Sequence, residues 1–577
     1  MLNRLLTQSI FRWHPIFIAF LLCSCGQVSP ESPELILHNG KIVTVDEDFR
    51  IAEALSIRAN EFIRVGSNSE LLDTRGPSTR VVDLEGRTVI PGLIDNHNHL
   101  QDKAVDQYLG VEVALVESLE EMLDAIRAKA KDTPSGEMIY TTSGWLMDQL
   151  AEKTPPDRYS LDRAAPDHPV LVQGGHTYYL NSAALELAGI SRATPSPAGG
   201  LVHKDPGGVP TGLLVDNAMA LARHLIPKPT HEDRMEALRV AQRKQNAVGV
   251  TGIREPGLTP EKMRAYNELR AREGLTLRVS MNLSLDNRRS AEELIQQLEE
   301  WGVGTGFGDP WLRLDGIGEF GIDGGFEAAL MSEPYHELAG APAPADYYGL
   351  QRIETKKFEE VMEGMARLNW RGSIHVVGDK GLDVVLAAYE KANEAKDIGP
   401  LRWILEHCHY TRPDQFEKIK ELGLSISTQF HPYMSSNTMI RHWGPERAAQ
   451  TMRLRDWLDA GIRVGGGSDW SLVPANPFWM MYFWITRETR LWDVIGPEQR
   501  ISREEALRVM TINNAYLTFE EDIKGSIEPG KLADFVILSE DILTVPEERI
   551  RDIQALATFV DGKLVHEAPD ADSLGLK

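Results

Sequence analysis

Thr88-Val89-Ile90-Pro91-Gly92-Leu93-Ile94-Asp95-Asn96-His97-Asn98-His99 is the stretch on which the fold reading turns. A short apolar run passes through a Pro-Gly pair and ends in two histidines two residues apart. Side chains alternate along a strand, so both imidazoles leave the same face. Catalytic groups of parallel α/β barrels sit at such strand ends, and neutral imidazole is a common ligand of zinc and similar metals. His-x-His alone also occurs on ordinary surfaces. The buried strand in front of it is what points to a metal.

Three further apolar runs end the same way: Ser373-Ile374-His375, Trp403-Ile404-Leu405-Glu406-His407 and Arg463-Val464-Gly465-Gly466-Gly467-Ser468-Asp469. The glycines of the last permit close backbone approach to a site. One such histidine is more often a hydrogen-bonded core residue. Four histidines and an aspartate at successive strand ends point instead to one metal centre. Candidate strands end at Ile94, Val172, Ile253, Leu283, Phe320, Val376, Leu405, Thr428 and Gly466, alternating with helical stretches. That alternation predicts an α/β fold with a parallel sheet and helices outside. A closed (β/α)8 barrel takes eight strands. The run near Val172 is therefore assigned to an insertion at about 104–240, a cap over the mouth of a barrel spanning 91–519.

Outward from the middle, both ends of the chain read as sheet. Leu35-Ile36-Leu37, Lys41-Ile42-Val43-Thr44-Val45, Ala54-Leu55-Ser56-Ile57 and Phe62-Ile63-Arg64-Val65 are separated by turn residues such as Asn39-Gly40 and Ala59-Asn60. They predict a small antiparallel sheet. The texture returns in residues 533–538 and 555–563. The expectation is one composite β-sandwich domain, built from 34–90 and 520–566.

The chain has 577 residues and a formal net charge of −24, with no Lys/Arg-rich run. Nucleic acid and anionic lipid surfaces are thereby excluded as expected partners. Arg4 and Arg12 precede the apolar run Ile16 to Cys23, which is too short to span a membrane and suits a signal-peptide core. Leu22-Cys23-Ser24-Cys25-Gly26 resembles a bacterial lipobox, which makes residues 1–24 a signal peptide, Cys25 the lipidation site and 25–33 a tether. The localisation expected is a periplasmic or membrane-anchored lipoprotein of a Gram-negative bacterium; an ordinary cleaved signal would release a soluble periplasmic protein. After cleavage Cys408 is the remaining cysteine, so no intramolecular disulfide forms.

The order of the motifs resembles the amidohydrolase superfamily, and within it the YtcJ-like, or amidohydrolase 3, branch. The similarity runs from about residue 34 to 566. It is carried by residues 91–99, Gly175-His176 with Leu180-Asn181-Ser182-Ala183-Ala184-Leu185, His375-Val376-Val377-Gly378-Asp379, Glu406-His407 and Gly467-Ser468-Asp469. The resemblance implies a TIM barrel with a composite β domain, one or two divalent metals, and hydrolysis of carbon–nitrogen bonds in amides or cyclic amides. Where that branch often has a carboxylated lysine, Gly318-Glu319-Phe320-Gly321-Ile322-Asp323-Gly324 places Glu319. Its carboxylate can bridge two metals directly; the competing reading is a single-metal site, and a register through Asp315 and Gly316 is the alternative alignment.

The expected metal ligands are thus His97, His99, Glu319, His375, His407 and Asp469, and the expected ion is Zn2+. Zinc brings the pKa of bound water toward ~7. Asp469 then acts as general base, and His375 or His176 helps polarise the scissile carbonyl. His176, Trp145 and Trp470 are the candidate substrate contacts, with Phe478, Trp479 and Trp484 as further aromatic wall or core. Cys408 reads as a small buried residue. A small-molecule substrate and a homodimer are the partners expected, with membrane contact only through the lipid anchor. Ester or lactone hydrolysis on the same site, and a non-catalytic periplasmic binding lipoprotein, are the alternative functions.

Overall fold

The computed structural model describes residues 32–576, apart from 146, 175–176, 198–199, 339–340, 471–474 and 491–493. The signal segment, Cys25, most of the tether, and His176 lie outside the described residues.

Eight parallel strands form the centre: β1 Leu93–Asp95, β2 Val250–Leu258, β3 Arg278–Leu283, β4 Leu312–Ile317, β5 Ser373–Val376, β6 Ile404–His407, β7 Ser425–Thr428 and β8 Arg463–Gly466. They fall into two four-stranded sheets, β1 to β4 and β5 to β8. At one seam Ile317 is bridged in parallel to Gly372, and the Ile322 N–H donates to the His375 carbonyl at 3.1 Å. At the other, the Asn96 N–H donates to the Gly466 carbonyl at 3.1 Å, and the Asp469 N–H to the His97 carbonyl at 2.7 Å. Every residue of β3, β6 and β7 is buried, as parallel strands covered by helices require. The helices carry their own start signals: Ser290 and Glu293 form a capping box on Ala291–Glu300, and Thr230 and Asp233 form one on His231–Ala247. Helix Asp379–Ala395 turns Leu382, Val385, Leu386 and Tyr389 into the core.

The candidate strand end at Phe320 falls three residues beyond the end of β4. A Cβ on Gly316 would meet the Arg371 carbonyl at 2.6 Å, and one on Gly318 the Ser373 carbonyl at 2.6 Å. The backbones approach so closely there that only glycine fits, and the chain leaves strand geometry. Val172 lies in strand Val170–Gln173 of a separate five-stranded sheet, with a core of its own that includes Leu161 and Ile139.

The N-terminal runs do not share one antiparallel sheet. Leu35–His38 and Ala54–Arg58 belong to a four-stranded sheet, whereas Lys41–Val43 lies in a six-stranded sheet with Thr88–Pro91, Phe535–Leu538 and Ala555–Val560. Asn39, at φ +56°, passes the chain from one sheet to the other instead of closing a hairpin. Two pairings are therefore parallel, Leu35–His38 with Arg80–Asp83 and Lys41–Val43 with Thr88–Pro91. Leu37, Ile42, Leu55, Phe62 and Phe559 pack into one core, where Phe535 stacks on Phe559 at 4.4 Å between centroids. Both ends of the chain contribute to it.

Candidate metal centre

Residues just beyond the C-terminal ends of β1, β4 and β8, with His375 in β5 and His407 closing β6, converge on one point. The ligand atoms of His97, Glu319 and His407 lie within 4.8 Å of one another, as do those of His97, His99 and Asp469. His97 belongs to both groups; its Nε2 is buried and has no hydrogen-bond partner among the described residues. It stands 3.9 Å from Glu319 Oε2 and 3.7 Å from Asp469 Oδ1. His99 Nε2 faces the same two carboxylates at 3.7 and 3.3 Å. A buried imidazole nitrogen aimed at carboxylates without touching them leaves room for a cation. The donor set suits Zn2+ and similar divalent ions, so these residues fit such a metal.

Glu319 Oε1 accepts from His375 Nδ1 at 2.7 Å and from His407 Nε2 at 2.5 Å. The alternative register is excluded by use: Asp315 bonds Arg371 Nη1 at 2.6 Å, behind the centre. His375 falls outside both three-donor groups and reaches the centre through Glu319; its Nε2 lies 3.4 Å from the Gly324 carbonyl. His407 Nδ1 donates to Gln429 Oε1 at 2.7 Å. Burial pulls the His407 imidazole down, but Glu319, with Asp469 and Glu406, outweighs it and raises its pKa to about 10. Burial likewise opposes ionisation of Glu319 and Asp469, yet the surrounding histidines hold both well below the usual carboxylate range. The hole is electrostatically negative and favours added positive charge.

Behind His97 lies a fully buried charge network. His97 Nδ1 donates to Glu406 Oε2 at 2.6 Å, which fixes the tautomer and leaves Nε2 facing the centre. Glu406 also accepts from Arg254 and from the Ser373 hydroxyl. Burial pushes the Glu406 carboxyl up, but Arg254 and His97 win and hold it at about 2. Arg254 in turn bonds the Asn96 carbonyl at 2.9 Å and pairs with Asp315 at 3.2 Å. His407 and Asp469 take positive φ, +71° and +46°. Backbone strain of this kind costs about 1–3 kcal/mol per residue and clusters at functional sites.

The family model for the amidohydrolase family matches residues 80–566. The chain belongs to the amidohydrolase family. Among relatives, Protein LONG AFTER FAR-RED 3 of Arabidopsis thaliana is 30% identical over 92% of this chain and 91% of its own length. N-substituted formamide deformylase of Arthrobacter pascens is 26% identical, over 92% and 98% respectively. A solved structure, an uncharacterized metal-dependent hydrolase from Pyrococcus furiosus, superposes with a TM-score of 0.68 at 28% identity, covering 88% of this chain and 100% of that one.

Within this amidohydrolase-family site, the structure adds residues to which the motif reading gave no role. His431 follows β7, and its Nε2 lies 3.3 Å from Asp469 Oδ2; burial lowers its pKa, so it is neutral at pH 7. Asp95 accepts from the Ser468 N–H at 2.8 Å and the Ser468 hydroxyl at 2.6 Å, tying the end of β1 to the loop that carries Asp469. Asp379, at the end of the His375 motif, accepts from the Ser332 N–H at 2.9 Å and from Arg412 at 2.8 Å. Trp145 is corrected from pocket wall to core. It is 4% exposed inside the insertion, and its indole donates to the Gln173 carbonyl at 2.6 Å. Trp470 and Trp479 line a cavity of about 340 Å³ beside Lys103 and Thr142, whereas Phe478 and Trp484 are core. Cys408 is buried, and burial raises its thiol far above the reactive range.

Glu255, in β2, is also buried; it accepts from the Gln101 N–H at 2.7 Å and from the Tyr266 hydroxyl. Burial pushes its carboxyl from 4.5 up to about 7, only partly offset by those bonds. The unfolded chain then loses this proton near pH 4.5 while the folded one keeps it to about pH 7. Stability from this group is full below the lower value and falls across that window, by about 3 kcal/mol at most. Glu255→Gln is expected to flatten the stability-against-pH curve by about one proton between pH 5 and 7 in urea titrations. An unchanged slope would remove Glu255 as the cause.

Proposed function

We propose that this amidohydrolase-family chain is a metal-dependent hydrolase of carbon–nitrogen bonds in amides or cyclic amides, working on an eight-stranded barrel formed by the two parallel sheets. The observation that carries the reading is the pair of three-donor groups sharing His97 at the C-terminal strand ends, where barrel enzymes place their chemistry. The formamide deformylase relative supports the bond class. His97, His99, Glu319, His407 and Asp469 would hold one or two divalent ions, Zn2+ first among them, with Glu319 as the bridging carboxylate. Such an ion supplies Lewis acidity, acidifying water and polarising a carbonyl.

The side chains divide the remaining work. Asp469 accepts the proton of the attacking water and returns it to the leaving nitrogen. His431 and His99, each 3.3 Å from one of its oxygens, orient it and hold it ionised. His375 and His407 keep Glu319 aimed into the centre. Glu406 and Arg254 hold the His97 ring in place.

Chelation is expected to abolish turnover of a panel of N-acyl compounds, cyclic imides and lactones, and Zn2+ or Mn2+ to restore it. Full activity in protein shown metal-free by elemental analysis would overturn the assignment. Lactones alone being cleaved would move the bond class to esters. Glu319→Gln should lower the metal content by about one ion per chain if its two oxygens bridge, because the amide carries no charge to hold two cations. Unchanged metal content would refute the bridge and leave the histidine-held site.

A further inference from the structure

The cavity of about 340 Å³ at Trp470 and Trp479 lies between helix Leu100–Leu109, helix His231–Ala247, the insertion and the loop after β8. Its size is within the ~300–1,000 Å³ usual for small-molecule sites. The charged groups on its walls are spent on one another. Lys103 Nζ lies 3.4 Å from both Asp106 Oδ2 and Ser143 Oγ. Lys244 Nζ donates to Gln107 Oε1 at 2.9 Å, and Gln107 Nε2 donates to Glu112 Oε2 at 2.6 Å. Glu112 Oε1 accepts from the Ala114 N–H at 2.9 Å and from the Thr142 hydroxyl at 3.0 Å. Two lysines and two acids cancel, and much of the remaining wall is apolar, with Trp470, Trp479, Leu115 and Val248.

One polar group of the wall has nothing to bond. Gln245 lines the cavity and is 2% exposed, and its Oε1 has no hydrogen-bond partner among the described residues. A buried amide left unpaired costs free energy, which the donor of a ligand would recover. No bond fixes this amide, so its oxygen is free to turn toward the cavity. The position of the cavity ties it to the centre. Trp470 directly follows Asp469, and Lys103 stands one helical turn beyond His99, the N-cap of Leu100–Leu109. His99 Nε2 and Asp469 Oδ1 are 3.3 Å apart. Asp469 is the group that returns a proton to the leaving nitrogen, so the cavity lies on the nitrogen side of the scissile bond.

We propose that this cavity binds the nitrogen-side arm of the substrate, an uncharged aromatic group that carries a hydrogen-bond donor, such as a phenol or an indole. Trp470 and Trp479 lie against the ring, and Gln245 Oε1 accepts from the donor. The inference deepens the hydrolase reading above and rests on it for the nitrogen side, though not for the binding. Cancelled wall charges disfavour an ionic arm, which would be desolvated without a partner. Tryptophan packs on another aromatic ring in offset or edge-to-face contact. A ring without the donor would cover the Gln245 amide and leave it unpaired, so the cavity discriminates by that one hydrogen bond.

Binding separates this idea from the chemistry. Metal-loaded protein is titrated calorimetrically with N-acetyltyramine, with N-acetylphenethylamine, and with the reversed amide 3-(4-hydroxyphenyl)-N-methylpropanamide. N-acetyltyramine should bind about fivefold tighter than N-acetylphenethylamine, the usual scale of one neutral hydrogen bond, and tighter than the reversed amide by as much or more. Gln245→Met keeps the length of the side chain and removes its amide. It should erase the phenol preference without lowering the melting temperature, because the amide bonds nothing within the chain. Trp479→Leu should weaken both acetamides alike and keep the preference. The proposal is overturned by no phenol preference in the parent, by a preference undiminished in Gln245→Met, by affinities unmoved in Trp479→Leu, or by a reversed amide bound as tightly as N-acetyltyramine. A Gln245-dependent preference without hydrolysis of any amide would sink the hydrolase reading and leave the aromatic site standing. Hydrolysis of both acetamides at equal kcat/KM, indifferent to Gln245→Met, would do the reverse.

Discussion

Asp469→Asn is expected to lower kcat/KM about a thousandfold or more while leaving the fold in place. The amide is nearly isosteric but cannot accept the proton of the attacking water. It also removes the negative charge that sits between His99 and His431. The Asp469 N–H bond to the His97 carbonyl is made by the backbone and survives the substitution. Steady-state kinetics, melting temperature and elemental analysis together check the expectation: activity falls, melting stays within a few degrees, and most of the metal remains on the histidines. A variant within about tenfold of the parent, on the order of 1.4 kcal/mol in the barrier, would show that another group takes the proton.

The second large effect lies behind the centre. Glu406→Gln removes a buried carboxylate and leaves two fully buried guanidinium groups, Arg254 and Arg371, sharing the single carboxylate of Asp315. Breaking one partner of a buried pair costs about 3–5 kcal/mol, because the surviving charge is left uncompensated. The variant should therefore unfold at clearly lower urea concentration. His97 also loses the anionic acceptor on Nδ1, and metal affinity should fall by about 10- to 100-fold, the usual effect of losing such a support. Acid titration gives an independent check. The Glu406 carboxyl is held at about 2, below its ordinary 4.5. Its contribution is present above the unfolded value and disappears as pH falls through the folded one. The parent should lose stability between about pH 4.5 and 2 through this group, and Glu406→Gln should not. Wild-type stability and metal affinity in the variant would mean that the network does not hold His97.

Much of the candidate centre was legible because its signals are local. His97, His99, His375, His407 and Asp469 each close a short apolar run, and strand period and hydrophobic pattern are written in consecutive residues. Glu319 was less legible: it was the favoured reading, but a register through Asp315 and Gly316 remained as the alternative. The structure separates them by partner, Asp315 with Arg254 and Arg371, Glu319 with His375 and His407. Trp145 misled because an aromatic side chain reads the same in a core as in a pocket wall. His431 and Arg254 gave no usable signal. A lone histidine after a strand, or a lone arginine within one, is unremarkable until its partner is known.

The sequence by itself determined the alternation of strands and helices and the side chains poised at the strand ends. These follow from the two-residue and 3.6-residue periods and from turn residues, all set by near neighbours along the chain. Only the tertiary structure decided which of those side chains meet, what fixes their rings and where the centre opens to a ligand. His97 and Glu406 are 309 positions apart, Arg254 and Glu406 are 152, and Asn96 and Asn514 are 418. The same limit divided the N-terminal runs between two sheets: Asn39-Gly40 marks a turn, but which strand lies beyond it depends on packing against the far end of the chain. Pairing across such distances is settled by burial and charge compensation over the whole fold, and no local period encodes it.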